Sequence, residues 1–364
     1  MMTRSKNWSE NINQRVEFYA RGSQRNRTDS GFPWEIVDGE SFSVSGLAKR
    51  ALNLFGYRRQ EKREWLSNNS EFLWESRCLL DDELSKLLFD ESLILRVIGH
   101  RGFYFPRTEF EDLIEIKNER PFLDPTLPAD YMGLPLKMFD LNFLMRDRNI
   151  LLKLVVNIEF ISMLNSYRQY LVQRGGVDVS PLSGDIVLDC GSCIGEMSLI
   201  FAALVGGSGE VHTFDPVPLH ARFCHLQANL NPALSHVFHI NELAVSNHTK
   251  SATGSKVDLQ KIDPGAKSSD AFSSTTLDDY ASKNLSRVDF IKMDIEGAEK
   301  EAIDGSREII REFKPRLAIS GYHKPDDFWQ IPSRLMAINP RYKIYFGHHS
   351  PVPWESVFYA VQRC

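Results

Sequence analysis

The chain has 364 residues, of which 42% are hydrophobic and 25% are charged, and its formal net charge is −5. This composition is typical of a globular protein with two domains, or with one domain and a large extension. The small negative charge gives no general reason to expect nucleic acid as a partner. Because the sequence lacks an apolar run of about 18 residues, we expect no membrane span.

The N-terminal segment and the cysteine content indicate the cellular compartment of the protein. The N-terminal residues carry charges that are not followed by an apolar core, so we expect no signal peptide. The five cysteines are too few and too scattered for a disulfide framework. We therefore expect a cytoplasmic protein.

The first 135 residues are predicted to form a helical and irregular extension. Residues 1–35 are polar, which favours a poorly ordered lead-in. From about residue 45 to residue 100, apolar residues spaced by three and four predict amphipathic helices. Prolines and glycines in residues 101–135 indicate irregular structure. Four side chains of this last stretch face either a substrate or the solvent: Arg101, Tyr104, Arg107 and Tyr131.

Residues 136–180 are predicted to lead into the main domain, which covers residues 181–364. Apolar runs at 136–139 and 150–156 predict two strands, and residues 160–171 predict a helix. Beyond residue 184, strands and helices alternate, which indicates a largely parallel sheet with helices on both faces. Seven strands are predicted, at 186–190, 210–214, 236–241, 288–293, 316–320, 342–346 and 356–361. The last two lie too close together for a crossover helix, so we expect an antiparallel pair.

The segment IVLDCGSCIG at residues 186–195 has the pattern of a strand, a tight glycine turn and a helix. This arrangement brings backbone N–H groups and a helix N-terminus to a nucleotide-like ligand. Gly191 and Gly195 leave room for close approach because they have no Cβ. Asp215 ends the next strand, where a carboxylate can accept hydrogen bonds from both hydroxyls of a ribose. Together these residues fit either a nicotinamide cofactor or S-adenosylmethionine.

Two features favour S-adenosylmethionine. Cys193 stands where the dinucleotide fingerprint needs its second glycine, and Asp189 would repel a pyrophosphate. The fourth predicted strand also ends in a cluster of charged residues for which a core role gives no explanation, namely Lys292, Asp294, Glu296 and Glu299. Glu299, however, fits equally well as an acidic residue that stabilises a helix N-terminus.

Five runs resemble the FkbM family of S-adenosylmethionine-dependent methyltransferases: VLDCGSCIGE, VHTFDPVP, TTLDDYA, VDFIKMDIEGAEKEAIDG and PRLAISGYH. The likeness covers roughly residues 184–361. It implies an α/β class I methyltransferase fold, Rossmann-like, with a mostly parallel seven-stranded sheet behind an N-terminal mainly helical extension. It also implies O-methylation of a sugar, a glycan or a related hydroxylated metabolite. The sequence departs from the class at Ser192 and Cys193, where many class I methyltransferases have smaller residues.

The resemblance also implies which residues bind the cofactor. Its methionine part would contact Asp189, Gly191, Ser192 and Gly195. Asp215 and the adjacent Pro216 would hold the ribose. Glu242, Leu243 and Ala244 lie where the adenine is usually held, with Asn241 beside them, and Asp294 would close the sulfonium side.

The acceptor hydroxyl needs a base, or a cation that lowers its pKa. His323 follows the fifth predicted strand and titrates near neutral pH, so it is the preferred base. Asp294 is the next choice, Lys292 would orient a carboxylate or the acceptor, and Glu296 belongs to the same catalytic group. In the competing hypothesis, Asp294, Glu296 and His323 bind a divalent ion such as Mg²⁺.

Two other functions remain open at this point: a nicotinamide-dependent oxidoreductase and a non-catalytic binding protein of the same fold. The sequence does not identify the acceptor.

Overall fold

The computed structural model describes residues 2–22, 59–99, 113–145, 148–250 and 272–362. Its N-terminal part is helical, with α1 (Met2–Gly22), α2 (Arg59–Asn68), α3 (Ser70–Leu79) and α4 (Glu83–Ile98). The predicted lead-in is wrong for residues 2–22, because Trp8, Ile12 and Val16 recur every four residues and are buried on one face of α1. That spacing forms an apolar helix stripe in an otherwise polar segment.

A small antiparallel sheet and two hairpins follow the helices. Their elements are β1 (Ile114–Pro121), β2 (Asp130–Tyr131), β3 (Leu134–Pro135), β4 (Lys137–Met145), β5 (Arg148–Val156), α5 (Ile158–Tyr167), β6 (Val172–Arg174) and β7 (Val177–Val179). The three-stranded sheet has the order β1-β4-β5. The irregular structure predicted for residues 101–135 is therefore wrong at β1, whose backbone pairs with β4. Arg101, Tyr104 and Arg107 lie outside the described residues.

The remaining elements build the main sheet and its helices. They are β8 (Ile186–Cys190), α6 (Glu196–Val205), β9 (Glu210–Phe214), α7 (Pro218–Leu230), β10 (Phe238–Asn241), β11 (Ala244–Val245), β12 (Ser274–Thr275), α8 (Leu277–Asn284), β13 (Phe290–Met293), α9 (Glu299–Asp304), α10 (Arg307–Glu312), β14 (Arg316–Ser320), α11 (Asp327–Ile338), β15 (Tyr342–His348) and β16 (Ser356–Gln362).

Seven of these strands form one sheet in the order β10-β9-β8-β13-β14-β16-β15. The first five strands in this order are parallel to one another, and β16 runs antiparallel to both β14 and β15. The predicted α/β fold, the seven strands and the antiparallel final pair are confirmed. The order reverses between β8 and β13, and ligands of such sheets bind at this switch point, beyond the carboxyl ends of the strands.

Both faces of the sheet are covered. Alternate strand residues enter two hydrophobic clusters, with Val187 and Phe290 in one and Leu188 and Ile291 in the other. On the first side, α6 and α7 pack against β5, while on the second α4 packs against β15 and α11 against α3. The helical extension therefore forms part of the core around the sheet. Among the described residues, no helix is both long enough and apolar enough to cross a membrane.

Candidate active site

The glycine turn after β8 lies directly against the end of β13. Gly191 has a φ of +81° and donates its N–H to the carbonyl of Phe214 at 2.8 Å. A Cβ at Gly191 would lie 1.7 Å from the backbone oxygen of Asp294, so only glycine fits there. Gly195, with a φ of +83°, closes the turn on the carbonyl of Ser192 and precedes the first residue of α6. The Ser192 side chain is buried against Cys224.

A buried ion pair supports this turn from the sheet. Asp189 is fully buried, and its Oδ1 lies 3.1 Å from Nζ of Lys292 while its Oδ2 accepts a hydrogen bond from Ser198 at 2.6 Å. Lys292 also donates to the carbonyl of Gly191 at 2.5 Å. Burial alone would lower the pKa of Lys292, but the negative charge of Asp189 raises it above its usual value. The geometry thus gives Asp189 and Lys292 the role of holding the turn in place.

Asp215 lies beyond β9, next to the same turn. Its carboxylate accepts hydrogen bonds from the amides of Cys193, at 3.1 Å, and Val217, at 3.0 Å. The Nδ1 atom of His220 lies 2.8 Å from Asp215 Oδ1. These contacts fix the carboxylate at the edge of the turn. The sequence predicts that the ribose binds beside it. Pro216 follows and is partly buried.

The β2–β3 hairpin reaches this corner from the extension. Tyr131 has its hydroxyl 2.8 Å from Nε2 of His220 and 3.3 Å from Sγ of Cys193. Tyr131, His220 and Asp215 therefore form a continuous chain of polar contacts. Cys193 has a φ of +51°, an unfavourable conformation for a residue with a side chain. Of the four side chains suggested to face a substrate, Tyr131 is the one described, and it lies beside the predicted ribose site.

The predicted adenine segment lies at the end of β10, beside Asp215. The carbonyl of Asn241 accepts a hydrogen bond from the backbone N–H of Asp215 at 3.2 Å. Glu242 is exposed, whereas Leu243 and Ala244 are partly buried. The fold therefore brings residues 242–244 to the same edge of the sheet as the glycine turn.

Glu196, the first residue of α6, is a site residue that the sequence reading missed. Its Oε2 atom is buried and accepts no hydrogen bond from the described residues. Burial raises the pKa of this carboxyl to about 7. Because a buried, unpartnered carboxylate oxygen invites a cationic partner, it fits the amino group of the methionine part of S-adenosylmethionine. Its position directly after the glycine turn was the signal that could have identified it.

Beyond β13, Asp294 lies at the centre of a second polar cluster. Tyr170 donates to its Oδ2 at 2.8 Å, and Tyr322 donates to its Oδ1 at 3.1 Å. Burial alone would raise the pKa of Asp294, but His323 and Lys292 lower it below its usual value. The carboxylate is therefore charged and oriented by two tyrosine hydroxyls.

His323 is held by three carboxylates. Its Nδ1 lies 3.0 Å from Glu299, and its Nε2 lies 3.5 Å from Asp294 and 3.8 Å from Glu296. Burial would lower the pKa of His323, yet Glu299 and the other two carboxylates raise it to about 10. The imidazole is consequently a cation at neutral pH. In this state it cannot accept a proton from a hydroxyl.

Glu355, in the loop before β16, is a second residue that the sequence reading missed. Gln169 donates to its Oε2 at 2.5 Å. Burial, followed by the nearby charge of Asp294, raises the pKa of Glu355 to about 7. Its φ of +69° is unfavourable for a residue with a side chain. A single acidic residue in a loop belongs to no motif, so no sequence pattern indicated it.

The residues predicted for a magnesium site do not fit one. The atoms that come within 4.8 Å of one another belong to Asp294, Glu299 and His323, not to the predicted set containing Glu296. Glu299 Oε1 already accepts hydrogen bonds from the amides of Ile295 and Gly297. The cationic imidazole of His323 balances the charge of the carboxylates, so no metal ion is needed for that purpose. An imidazole also offers nitrogen, whereas Mg²⁺ prefers oxygen ligands. We derive no metal step from this cluster.

The sequence itself matches a known domain. Residues 189–349 match the family model described as the Methyltransferase FkbM domain. This segment therefore carries the likeness to the FkbM methyltransferases. The matched range contains Gly191, Asp215, Asp294 and His323, whereas Tyr131, Tyr170 and Glu355 lie outside it. The prediction of the family is confirmed, and this match favours a methyltransferase over a nicotinamide-dependent oxidoreductase. No curated protein matches the chain.

Solved structures of similar fold include methyltransferases of several kinds. The crystal structure of the FkbM methyltransferase from Methylobacillus flagellatus KT has a TM-score of 0.52 and 19% identity, with 81% of this chain and 59% of that chain covered. This chain therefore spans about three fifths of that protein. An O-methyltransferase from Bacillus cereus in complex with S-adenosylhomocysteine has a TM-score of 0.31 and 15% identity, with 50% and 75% covered. The Methanococcus jannaschii fibrillarin pre-rRNA processing protein has a TM-score of 0.36 and 13% identity, with 71% and 96% covered.

Proposed function

We propose that this FkbM methyltransferase transfers the methyl group of S-adenosylmethionine to a hydroxyl of a sugar, a glycan or a related hydroxylated metabolite. The observation that carries the proposal is the contact between the glycine turn and Asp294, because it brings the cofactor residues and the polar cluster into one crevice. When bound, S-adenosylmethionine supplies a methyl carbon on a positively charged sulfur, so its leaving group is already activated.

The cofactor side of the crevice consists of residues that match each part of the ligand. Glu196 offers a carboxylate to the amino group, and Asp215 offers one to the ribose hydroxyls. Asp189 and Lys292 keep the glycine turn rigid beneath them. This preorganisation reduces the entropy lost when the ligand is positioned.

On the acceptor side, we assign the base to Glu355 in place of His323. The acceptor oxygen must lose its proton during the transfer, and a base works best with a pKa near the working pH. Glu355 has a pKa of about 7, whereas His323, with a pKa of about 10, already carries its proton. The His323 cation would then orient Asp294, and Asp294 would accept a hydrogen bond from the acceptor.

Charge also indicates the class of acceptor. Four carboxyl groups lie around two cations, His323 and Lys292; they belong to Asp294, Glu296, Glu299 and Glu355. This excess of carboxylates disfavours phosphorylated or nucleic-acid acceptors, because like charges in a buried site repel strongly. A neutral acceptor with several hydroxyl groups fits better, since carboxylates accept hydrogen bonds well.

Binding calorimetry with S-adenosylhomocysteine tests the cofactor half of the proposal. We expect binding by the wild type and at least about tenfold weaker binding by Asp215→Ala, because hydrogen bonds to a charged group contribute about 1.5–3 kcal/mol each. Asp279→Ala is the matched control, since Asp279 forms a surface pair with Lys283. Failure of the wild type to bind, or unchanged binding by Asp215→Ala, would contradict the proposed cofactor site.

Mass spectrometry tests the acceptor half, using S-adenosylmethionine with a panel of neutral saccharides and of their phosphorylated forms. We expect a mass gain of one methyl group, in exchange for hydrogen, on neutral members only. Glu355→Gln should slow the transfer while leaving S-adenosylhomocysteine binding intact. Binding of S-adenosylhomocysteine without methylation of any member would favour the non-catalytic alternative, and a response to NADH would favour the oxidoreductase.

A further inference from the structure

A second group of metal-binding residue types lies at the other end of the main sheet. Glu210 and His212 are two residues apart on β9, so their side chains point to the same face. His239 on β10 is the direct register partner of His212. Strand geometry therefore places a carboxylate and two imidazoles side by side.

The possible ligand atoms of these three side chains lie close together. Nε2 of His212 lies 2.8 Å from Oε2 of Glu210, and Nε2 of His239 lies 3.8 Å from the same oxygen. The two imidazole rings are stacked, with centroids 4.3 Å apart and an interplanar angle of 10°, so a shared ion requires the exposed His239 ring to turn out of the stack. One ligand atom from each residue lies within 4.8 Å of those of the other two. Both histidines thus present the same ring nitrogen to one carboxylate.

A hydrogen bond fixes the buried imidazole from behind. Nδ1 of His212 lies 2.8 Å from the hydroxyl of Tyr280. A histidine that binds a metal commonly donates its other ring N–H to such a partner, which directs the remaining lone pair at the ion. His212 is 4% exposed, whereas the side chains of Glu210 and His239 are 43% exposed. The group is therefore anchored on one side and open to solvent on the other.

We propose that Glu210, His212 and His239 bind a divalent transition-metal ion of the zinc type, with water as a fourth ligand. Two imidazole nitrogens and one carboxylate suit Zn²⁺, Co²⁺ or Ni²⁺ better than Mg²⁺ or Ca²⁺. Zinc–ligand bonds of about 2.0–2.2 Å in a tetrahedron place ligand atoms about 3.3 Å apart. The present distances of 2.8 and 3.8 Å lie on either side of this value.

The ion would act on the sheet and not on methyl transfer. At about 3.3 Å per residue, Glu210 lies about 16 Å along β9 from Asp215, while His239 lies about 7 Å along β10 from Asn241. β10 is the edge strand of the sheet. A metal shared by β9 and β10 would therefore fix the edge strand that leads into the predicted adenine segment.

Equilibrium dialysis of the full chain against Zn²⁺, with Co²⁺ as a spectroscopic probe, tests the proposal. We expect the wild type to bind one ion. His239→Ala removes a direct ligand, so it should weaken binding by more than about 100-fold, because loss of a residue that only supports a ligand already costs about 10–100-fold. His236→Ala is the matched control, because His236 is an exposed histidine on the neighbouring turn. Tyr280→Phe keeps the ring and removes the hydroxyl, so it should weaken binding about 10–100-fold.

Bound Co²⁺ should show the visible absorption of a tetrahedral site in the wild type and in His236→Ala. Equal affinity of His239→Ala and His236→Ala would overturn the proposal, as would loss of the ion from His323→Gln with retention in His239→Ala. Absence of Zn²⁺ binding by the wild type would reduce the group to an ion pair only. S-adenosylhomocysteine binding, measured on the same samples, reports separately on the methyltransferase site.

Discussion

Replacement of His323 by glutamine tests the claim that the acceptor-side cluster depends on a cation. Glutamine retains hydrogen-bonding capacity but carries no charge at any pH. The three carboxylates raise the pKa of His323 from 6.5 to about 10, a difference that corresponds to about 5 kcal/mol at about 1.36 kcal/mol per pKa unit. His323 is 9% exposed, so solvent screens little of this interaction.

The sign of the pH dependence follows from the direction of the shift. Because the folded protein binds the proton more tightly than the unfolded chain, the stabilisation is complete below pH 6.5 and is lost as the pH rises towards 10. Between pH 7 and pH 9, the free energy of unfolding of the wild type should therefore fall by about 3 kcal/mol more than that of His323→Gln.

Urea unfolding at pH 7, 8 and 9 measures this difference, with His225→Gln as an exposed-histidine control. NMR titration of the imidazole protons measures the pKa directly, and the signal absent from His323→Gln identifies the residue. A His323 signal that titrates below pH 7.5 would refute the cation, and so would parallel stability curves of the wild type and His323→Gln. Either result would return His323 to the role of base.

Three further substitutions test the packing beneath the site. Gly191→Ala should abolish S-adenosylhomocysteine binding, whereas Gly175→Ala, which has the same sign of φ but open space around its Cβ, should preserve it; calorimetry compares the two. Ser198→Ala removes a hydrogen bond to the fully buried Asp189 and should lower the free energy of unfolding in urea by about 1–3 kcal/mol. Trp8→Ala should cost about 3–5 kcal/mol in the same assay if α1 belongs to the core, and a cost below 1 kcal/mol would contradict that packing.

The sequence predicted the part of the fold that depends on local pattern. Apolar runs located all seven strands of the main sheet, and glycines after the first of them located the tight turn between β8 and α6. Strands buried on both faces must be apolar, and tight turns need glycine, so both leave a signal. Helix α1 was not predicted because its three buried apolar residues stand among polar ones, and β1 was not predicted because most of its side chains are exposed.

The chemistry of the site was harder to predict, because protonation depends on neighbours that are distant in sequence. His323 titrates near neutral pH in isolation and was the natural base. Its raised pKa comes from Glu299 and two other carboxylates, which only the turn after β13 brings together. Glu355 acquires a pKa near 7 by burial beside Asp294, 61 positions earlier in the chain. The spacing of residues in the sequence predicts neither the raised pKa of His323 nor that of Glu355.

Residues from outside the matched domain contact the candidate site, and we expect them to affect its specificity. Tyr131 contacts Cys193 from the β2–β3 hairpin, and Tyr170 orients Asp294 from the segment before β6. Glu355 enters from the loop before β16. Residues 189–349 contain the cofactor turn and the carboxylate cluster, but not these three groups. A graft of that range alone onto a relative should therefore carry over cofactor binding without the acceptor preference, since Tyr322 moves with Asp294 but Tyr170 and the proposed base Glu355 stay behind.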